Sequence, residues 1–167
     1  MPRYLVIDPG LSGALAIVET INGLPLLVDT IDMPSIGTGA KARVDVIAAA
    51  KWIGKHAPSA AYVERAQAFP GQGASSGFSY GRAVGALEAV VALCAIPMIL
   101  VEASVWKRQL RLPGKDKEAA RQRALQLFPS QHALFARKRD HGRAEAALIT
   151  VASLERARSG LKPHLRN

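Results

Sequence analysis

The chain has 167 residues, 49% of them apolar and 21% charged, which excludes a disordered or fibrous protein and predicts one soluble globular domain with a sizeable core. Lys and Arg number 22 against 13 Asp and Glu, a net charge of +9, and folding needs no such excess. It points to an anionic partner, nucleic acid first and a membrane surface second, while the single cysteine, Cys94, excludes an internal disulfide, fits a reducing cytoplasm and reads as core.

Residues 4–8 (YLVID) form an apolar, β-branched run suited to a buried strand. The run is too short and too acidic at its end for a signal peptide, and no later stretch is long and clean enough to span a bilayer. Pro9 and Gly10 break it, and apolar runs at 13–19 and 24–31 complete a three-stranded antiparallel meander. PSIGTGAKA, at 34–42, reads as a loop. Val44, Ile47, Ala48 and Trp52 recur at helical spacing and predict a first helix ending near Pro58. AAYVE, at 60–64, predicts a fourth strand that again closes on an acid, and FPGQGASSGFSYG, rich in Gly and Ser, predicts a loop. Residues 80–93 are almost all small or apolar, so that helix is either core throughout or half turned to a partner. Residues 97–102 predict a fifth strand, and 117–128 and 144–158 two further helices. This order implies an α/β domain over 1–158, a mixed five-stranded sheet of antiparallel meander plus parallel strands flanked by helices. Residues 159–167 form a short basic tail.

Three of the strands end on acids, and in such sheets sites form just beyond the parallel strand ends. Asp8 could serve only a turn, but if its strand neighbours that of Glu64 the two carboxylates converge. KRDHGRAEAALI, at 138–149, adds Asp140 and Glu145 at the start of an Ala-rich helix. Asp140 has an ordinary alternative as a helix N-cap. Glu145 lies among Ala144, Ala146, Ala147, Leu148 and Ile149, where a charge needs a partner. Four gathered carboxylates resist ionisation unless a cation joins them, and hard oxygen donors suit Mg²⁺, or Mn²⁺ in its place. Two such ions about 4 Å apart stabilise both the attacking and the leaving oxygen in phosphodiester hydrolysis. An acid cluster on a basic protein predicts a nuclease.

IDPG followed by small residues, YVE at the end of the fourth strand, SYGRAVGALEAVV after a Gly/Ser-rich stretch, and Asp140 before AEAA follow one another in an order and separation with a precedent. In these features the chain resembles the RuvC-type Holliday junction resolvases of the RNase H-like (integrase-like) superfamily, most of all their phage or prophage branch. The resemblance runs over roughly residues 4–154. IDPG alone is shared with ATPases and other nucleases; four elements in register are far more specific. The resemblance implies an RNase H-like fold, a homodimer, and Asp8, Glu64 and Glu145 as ligands of two Mg²⁺ ions, with Asp140 as the fourth. The chain departs from the pattern at the last acid: the bacterial enzymes have an A-D-A step and another ligand three residues earlier. Here the step is A-E-A and the earlier residue is Gly142, so His141 competes with Asp140 for the fourth place.

SVWKRQLRLPGKDKEAA resembles the family segment with two lysines about ten residues apart, which implies that Lys107 and Lys117 stabilise charge at the scissile phosphate. The implied activity is a crossover junction endodeoxyribonuclease that makes paired nicks in four-way DNA, leaving 5′-phosphate and 3′-hydroxyl ends, in the cytoplasm of a bacterial host, without a small-molecule cofactor. Phosphate contacts are expected from Arg65, Arg82, Lys107, Arg108, Arg111, Lys115, Lys117, Arg121, Arg137, Lys138 and Arg139. Phe69, Phe78 and Tyr80 are the aromatics expected to wedge at the branch point, Phe69 first. A non-catalytic DNA-binding or architectural protein of the same fold, or a related nuclease acting on forks, flaps or RNA–DNA hybrids, would share much of this pattern.

Overall fold

Three strands open the chain in a computed structural model that describes residues 1–67, 71–112 and 116–158: β1 (Arg3–Asp8), β2 (Ala14–Ile21) and β3 (Leu24–Asp32). The turn from β1 to β2 is tight. Gly10 takes φ +108, and a Cβ on Gly13 would stand 2.0 Å from the Asp8 carbonyl oxygen, so both positions require glycine. Asn22 and Gly23, with φ 51 and 77, then make the Asn-Gly hairpin turn.

Residues 34–42, expected as a loop, include one strand of a two-residue antiparallel ribbon, β4 (Ser35–Ile36) against β5 (Arg43–Val44). Asp45 then caps α1 (Val46–His56), its carboxylate accepting from the amides of Ile47 and Ala48. The chain continues through β6 (Ala60–Glu64), α2 (Ala74–Leu93), β7 (Met98–Val101) and α3 (Ala103–Gln109). It ends with α4 (Lys117–Leu127), 3-10 turns at Pro129–Phe135 and Lys138–Asp140, and α5 (His141–Arg158).

The sheet order is β3-β2-β1-β6-β7, antiparallel through the meander and parallel from β1 to β6 to β7. Alternation along β1 divides the core in two. Leu5 and Ile7 pack on one side with Ala49 and Ile53 of α1 and Leu87 and Val91 of α2. Val6 packs on the other with Tyr62, Trp106 of α3, Ala120 and Ala124 of α4, and Leu148 and Ile149 of α5. Burial on both faces explains why β1 reads as an unbroken apolar run.

Some expectations move. The helix expected from 80 starts at Ala74, so Ser75–Ser79 belongs to α2 despite its Gly and Ser content; tertiary packing overrides local propensity. α3 was not anticipated, because seven residues are too few to display a helical period. α5 begins at His141 rather than 144. Cys94, expected in the core, is exposed beside the end of α2. Among the described residues no helix is long and apolar enough to cross a membrane. Phe69, Lys115 and the tail 159–167 lie outside the described residues.

Candidate active site

Strand register brings the first two acids together. Ile7 lies opposite Val63 in the parallel β1–β6 pair, so Asp8 and Glu64, one residue further along each strand, stand side by side at the sheet end. Alternation turns both to the face of Val6 and Tyr62, the face α5 covers. Glu145, at the start of the second turn of α5, joins them there. α5 approaches unusually closely because residue 142 is glycine: a Cβ there would fall 2.7 Å from the Ser12 carbonyl oxygen and 2.9 Å from the Gly13 carbonyl carbon. The position at which the resemblance expects another ligand thus has no space for a side chain.

The three carboxylates act on one another. Burial pushes Asp8 well above the ordinary carboxylate range; Glu145 and Glu64 push it further, against Lys107 and Lys117. Burial also raises Glu64, as does Glu145, against a hydrogen bond from Trp106 and the charge of Lys107.

Neighbouring elements supply the partners. The Trp106 side chain is wholly buried and its Nε1–H donates to Glu64 Oε2 at 2.8 Å. The next residue, Lys107, places Nζ 3.1 Å from Glu145 Oε1 and 5.0 Å from the Trp106 ring centroid. Lys117, at the start of α4, has Nζ 3.2 Å from His141 Nε2. Tyr80 reaches the same rim from α2, its ring lying 3.3 Å from the place of a Cβ on Gly10. Its phenol is pushed up to about 12, by burial first and then by Glu64, Asp8 and Glu145. Sequence reasoning set Tyr80 where the Gly/Ser-rich loop meets the following helix and passed over Trp106, which looks like plain core; the available signal was its place beside Lys107.

Asp140 is buried more completely, at 1% exposure, but its setting differs. Its Oδ2 accepts from the Arg137 backbone N–H at 2.8 Å, and Arg137 Nε and Nη2 donate to Oδ1 at 3.0 and 2.7 Å. Burial would raise its pKa, but the Arg137 side-chain and backbone bonds outweigh it and hold the carboxyl below its usual value. Asp140 is not among the charges acting on Asp8 or Glu64. The structure therefore gathers Asp8, Glu64 and Glu145 with Lys107 and Lys117, keeps Asp140 in the fork of Arg137, and puts His141 against Lys117.

Among the described residues, no three His, Cys, Asp or Glu side chains are grouped so as to hold a metal ion as they stand. The donor chemistry nevertheless fits a hard divalent cation. Burial first, and the neighbouring carboxylates after it, hold Asp8 and Glu64 above their ordinary values, and a bound cation would relieve both.

No protein-family model and no curated protein sequence matches the chain. Among solved structures, T. thermophilus RuvC in complex with Holliday junction substrate is similar at a TM-score of 0.68 and 20% identity, over 98% of this chain and 99% of that one. The fold is that of RuvC. A second structure, of Thermus thermophilus RuvC, gives the same TM-score and identity over 96% of this chain and 99% of that chain. The RNase H-like sheet expected from the sequence is therefore present.

On this RuvC fold the expected phosphate-binding cations separate by what already holds them. Arg65 is paired with Glu102 at 2.6 Å, and Arg82 donates to the Ala42 carbonyl at 2.9 Å with its guanidinium 5.9 Å from the Phe78 centroid. Arg121, with its side chain 14% exposed, straps α4 to the Phe135 carbonyl and pairs with Glu118. Arg137 grips Asp140. Arg108, Arg111, Lys138 and Arg139 are exposed.

Proposed function

We propose that the chain is a divalent-cation-dependent endonuclease that resolves four-way (Holliday) or related branched DNA by paired symmetric nicks, leaving 5′-phosphate and 3′-hydroxyl ends. The observation that carries this reading is the meeting of Asp8, Glu64 and Glu145, two of them with raised pKa values, at the strand ends of a RuvC fold. These three would hold Mg²⁺ or Mn²⁺, two ions in the full site. His141 is the fourth ligand in preference to Asp140, whose oxygens already serve Arg137. The bound cation supplies Lewis-acid stabilisation of charge developing on the phosphate. Lys107 would exchange its contact with Glu145 for the scissile phosphate, and Lys117 would add a second positive charge beside it.

Arg108 and Arg111, exposed and in or just after α3, extend a phosphate track, which makes binding steeply salt-dependent. Two symmetric nicks suit a twofold dimer. The outer face of α2 supports that arrangement: Gly81 and Gly85 face open space, between Phe78 at 72% and Leu93 at 87% exposure. The junction DNA bound to T. thermophilus RuvC supports a branched substrate.

One observation favours a second reading, a non-catalytic DNA-binding protein of the same fold: the described residues contain no ready-made ligand trio. One assay separates the two. Wild type and Glu145→Gln are compared on a four-way junction, a fork, linear duplex and an RNA–DNA hybrid, with Mg²⁺ or with EDTA. Mg²⁺-dependent paired nicks in the junction, lost in the variant, are expected. Tight binding without cutting would leave the architectural reading, and preferred cutting of forks or hybrids a related nuclease.

A further inference from the structure

We infer that Trp106 is a positioning residue for Glu64, its indole N–H holding one carboxylate oxygen so that the other faces the cation. The inference deepens the nuclease reading and rests on it. Trp106 has no exposed surface and sits in the core shared by β1, β6, α4 and α5. A buried indole N–H needs an acceptor. Here the acceptor is Glu64 Oε2, at 2.8 Å, and the bond crosses from α3 to the end of β6.

The topology builds this contact. Glu64 pairs in register with Val101 at the end of β7, and α3 starts at Ala103, just beyond. The amide of Trp106 donates to the Glu102 carbonyl, which puts the indole one turn into the helix. A glutamate at a strand end has rotamer freedom to lose when it binds an ion. A fixed Oε2 removes part of that loss and leaves Oε1 as the ligand atom. Lys107, the following residue, holds Glu145. One dipeptide thus governs two acids that come from separate elements, whereas a purely packing role would need the ring alone.

The test uses the full chain. Mn²⁺ affinity is measured by electron paramagnetic resonance for wild type, Trp106→Phe, Glu64→Gln and the double variant, with thermal melting in EDTA to check folding. Trp106→Phe keeps an aromatic ring and drops the donor. Its Mn²⁺ affinity should fall about tenfold or more, yet the same change in the Glu64→Gln background should cost less than about twofold. Equal losses in both backgrounds, or none in either, overturn the inference. If Trp106→Phe fails to fold, the wild type still decides. The chain has two tryptophans, Trp52 and Trp106, so their indole N–H signals form a two-peak NMR spectrum. The Trp106 peak should move on Mg²⁺ titration in wild type and stay still in Glu64→Gln. A stationary Trp106 peak at saturating Mg²⁺ overturns the inference alone; a wild type that binds no Mn²⁺ overturns it together with the nuclease reading.

Discussion

Asp8 and Asp140 are both buried aspartates, and physical chemistry treats them in opposite ways. Asp140 has a guanidinium and a backbone amide around it and is held in its charged form. Asp8 is cut off from water and has Glu145 and Glu64 for company, which Lys107 and Lys117 only partly offset, so its charge is resisted. A matched buried acid stabilises a fold; a crowded one costs stability and makes sense where a ligand relieves it. The contrast separates two acids that look alike in the sequence.

The largest effect should come from Asp8→Asn. Cleavage of a four-way junction should fall roughly a thousandfold or more, while junction binding persists and the melting temperature in EDTA holds or rises. Unfolding instead would place Asp8 with Asp140. Asp140→Ala should do the reverse, lowering unfolding free energy by about 2 kcal/mol in chemical denaturation and leaving cutting per folded molecule near wild type. A loss of cutting at full stability would return Asp140 to the ligand set.

The same contrast has a pH signature. The folded pKa values of Asp8 and Glu64 lie above their ordinary values of 3.8 and 4.5, so between those values and the raised ones the folded state binds more protons. Stability from these two groups is therefore greatest below the ordinary values and declines as pH rises through the raised range. Asp140, lowered from 3.8, behaves oppositely: its contribution is present above that value and is lost as pH falls through its lowered pKa. Mg²⁺ should accordingly raise the melting temperature more at about pH 8 than at about pH 5. A shift independent of pH would mean that the ion binds elsewhere. The smallest effect is expected of Arg108→Ala, which should weaken junction binding across sequences and reduce the salt slope of binding by about one.

Much of this was legible in the sequence for definite reasons. The meander and β6 declare themselves because β-branched runs end at Asn-Gly, Pro and Gly. Convergence of Asp8 and Glu64 was expected only if their strands are neighbours, a condition the β1–β6 register meets, and the Ala-rich run around Glu145 declared the late helix that carries it. What escaped was whatever depended on one side chain choosing another. Arg137 lies three residues before Asp140, yet nothing in RKRD says that the arginine folds back onto the aspartate. α3 is shorter than two helical periods need, so Trp106 and its N–H could not be assigned to Glu64. The start of α2 was misplaced because SSGFSYG has loop composition and helical packing.

Gly142 bears on how tolerant the site is to change. Its contact with Ser12 and Gly13 is main chain against main chain, so the gap between the first and last acids is gauged by covalent backbone dimensions rather than by rotamers. Even a methyl group would act as a shim, tilting the helix start away from the turn. Side chains around the rim could drift over evolutionary time while the spacing of that pair stayed put.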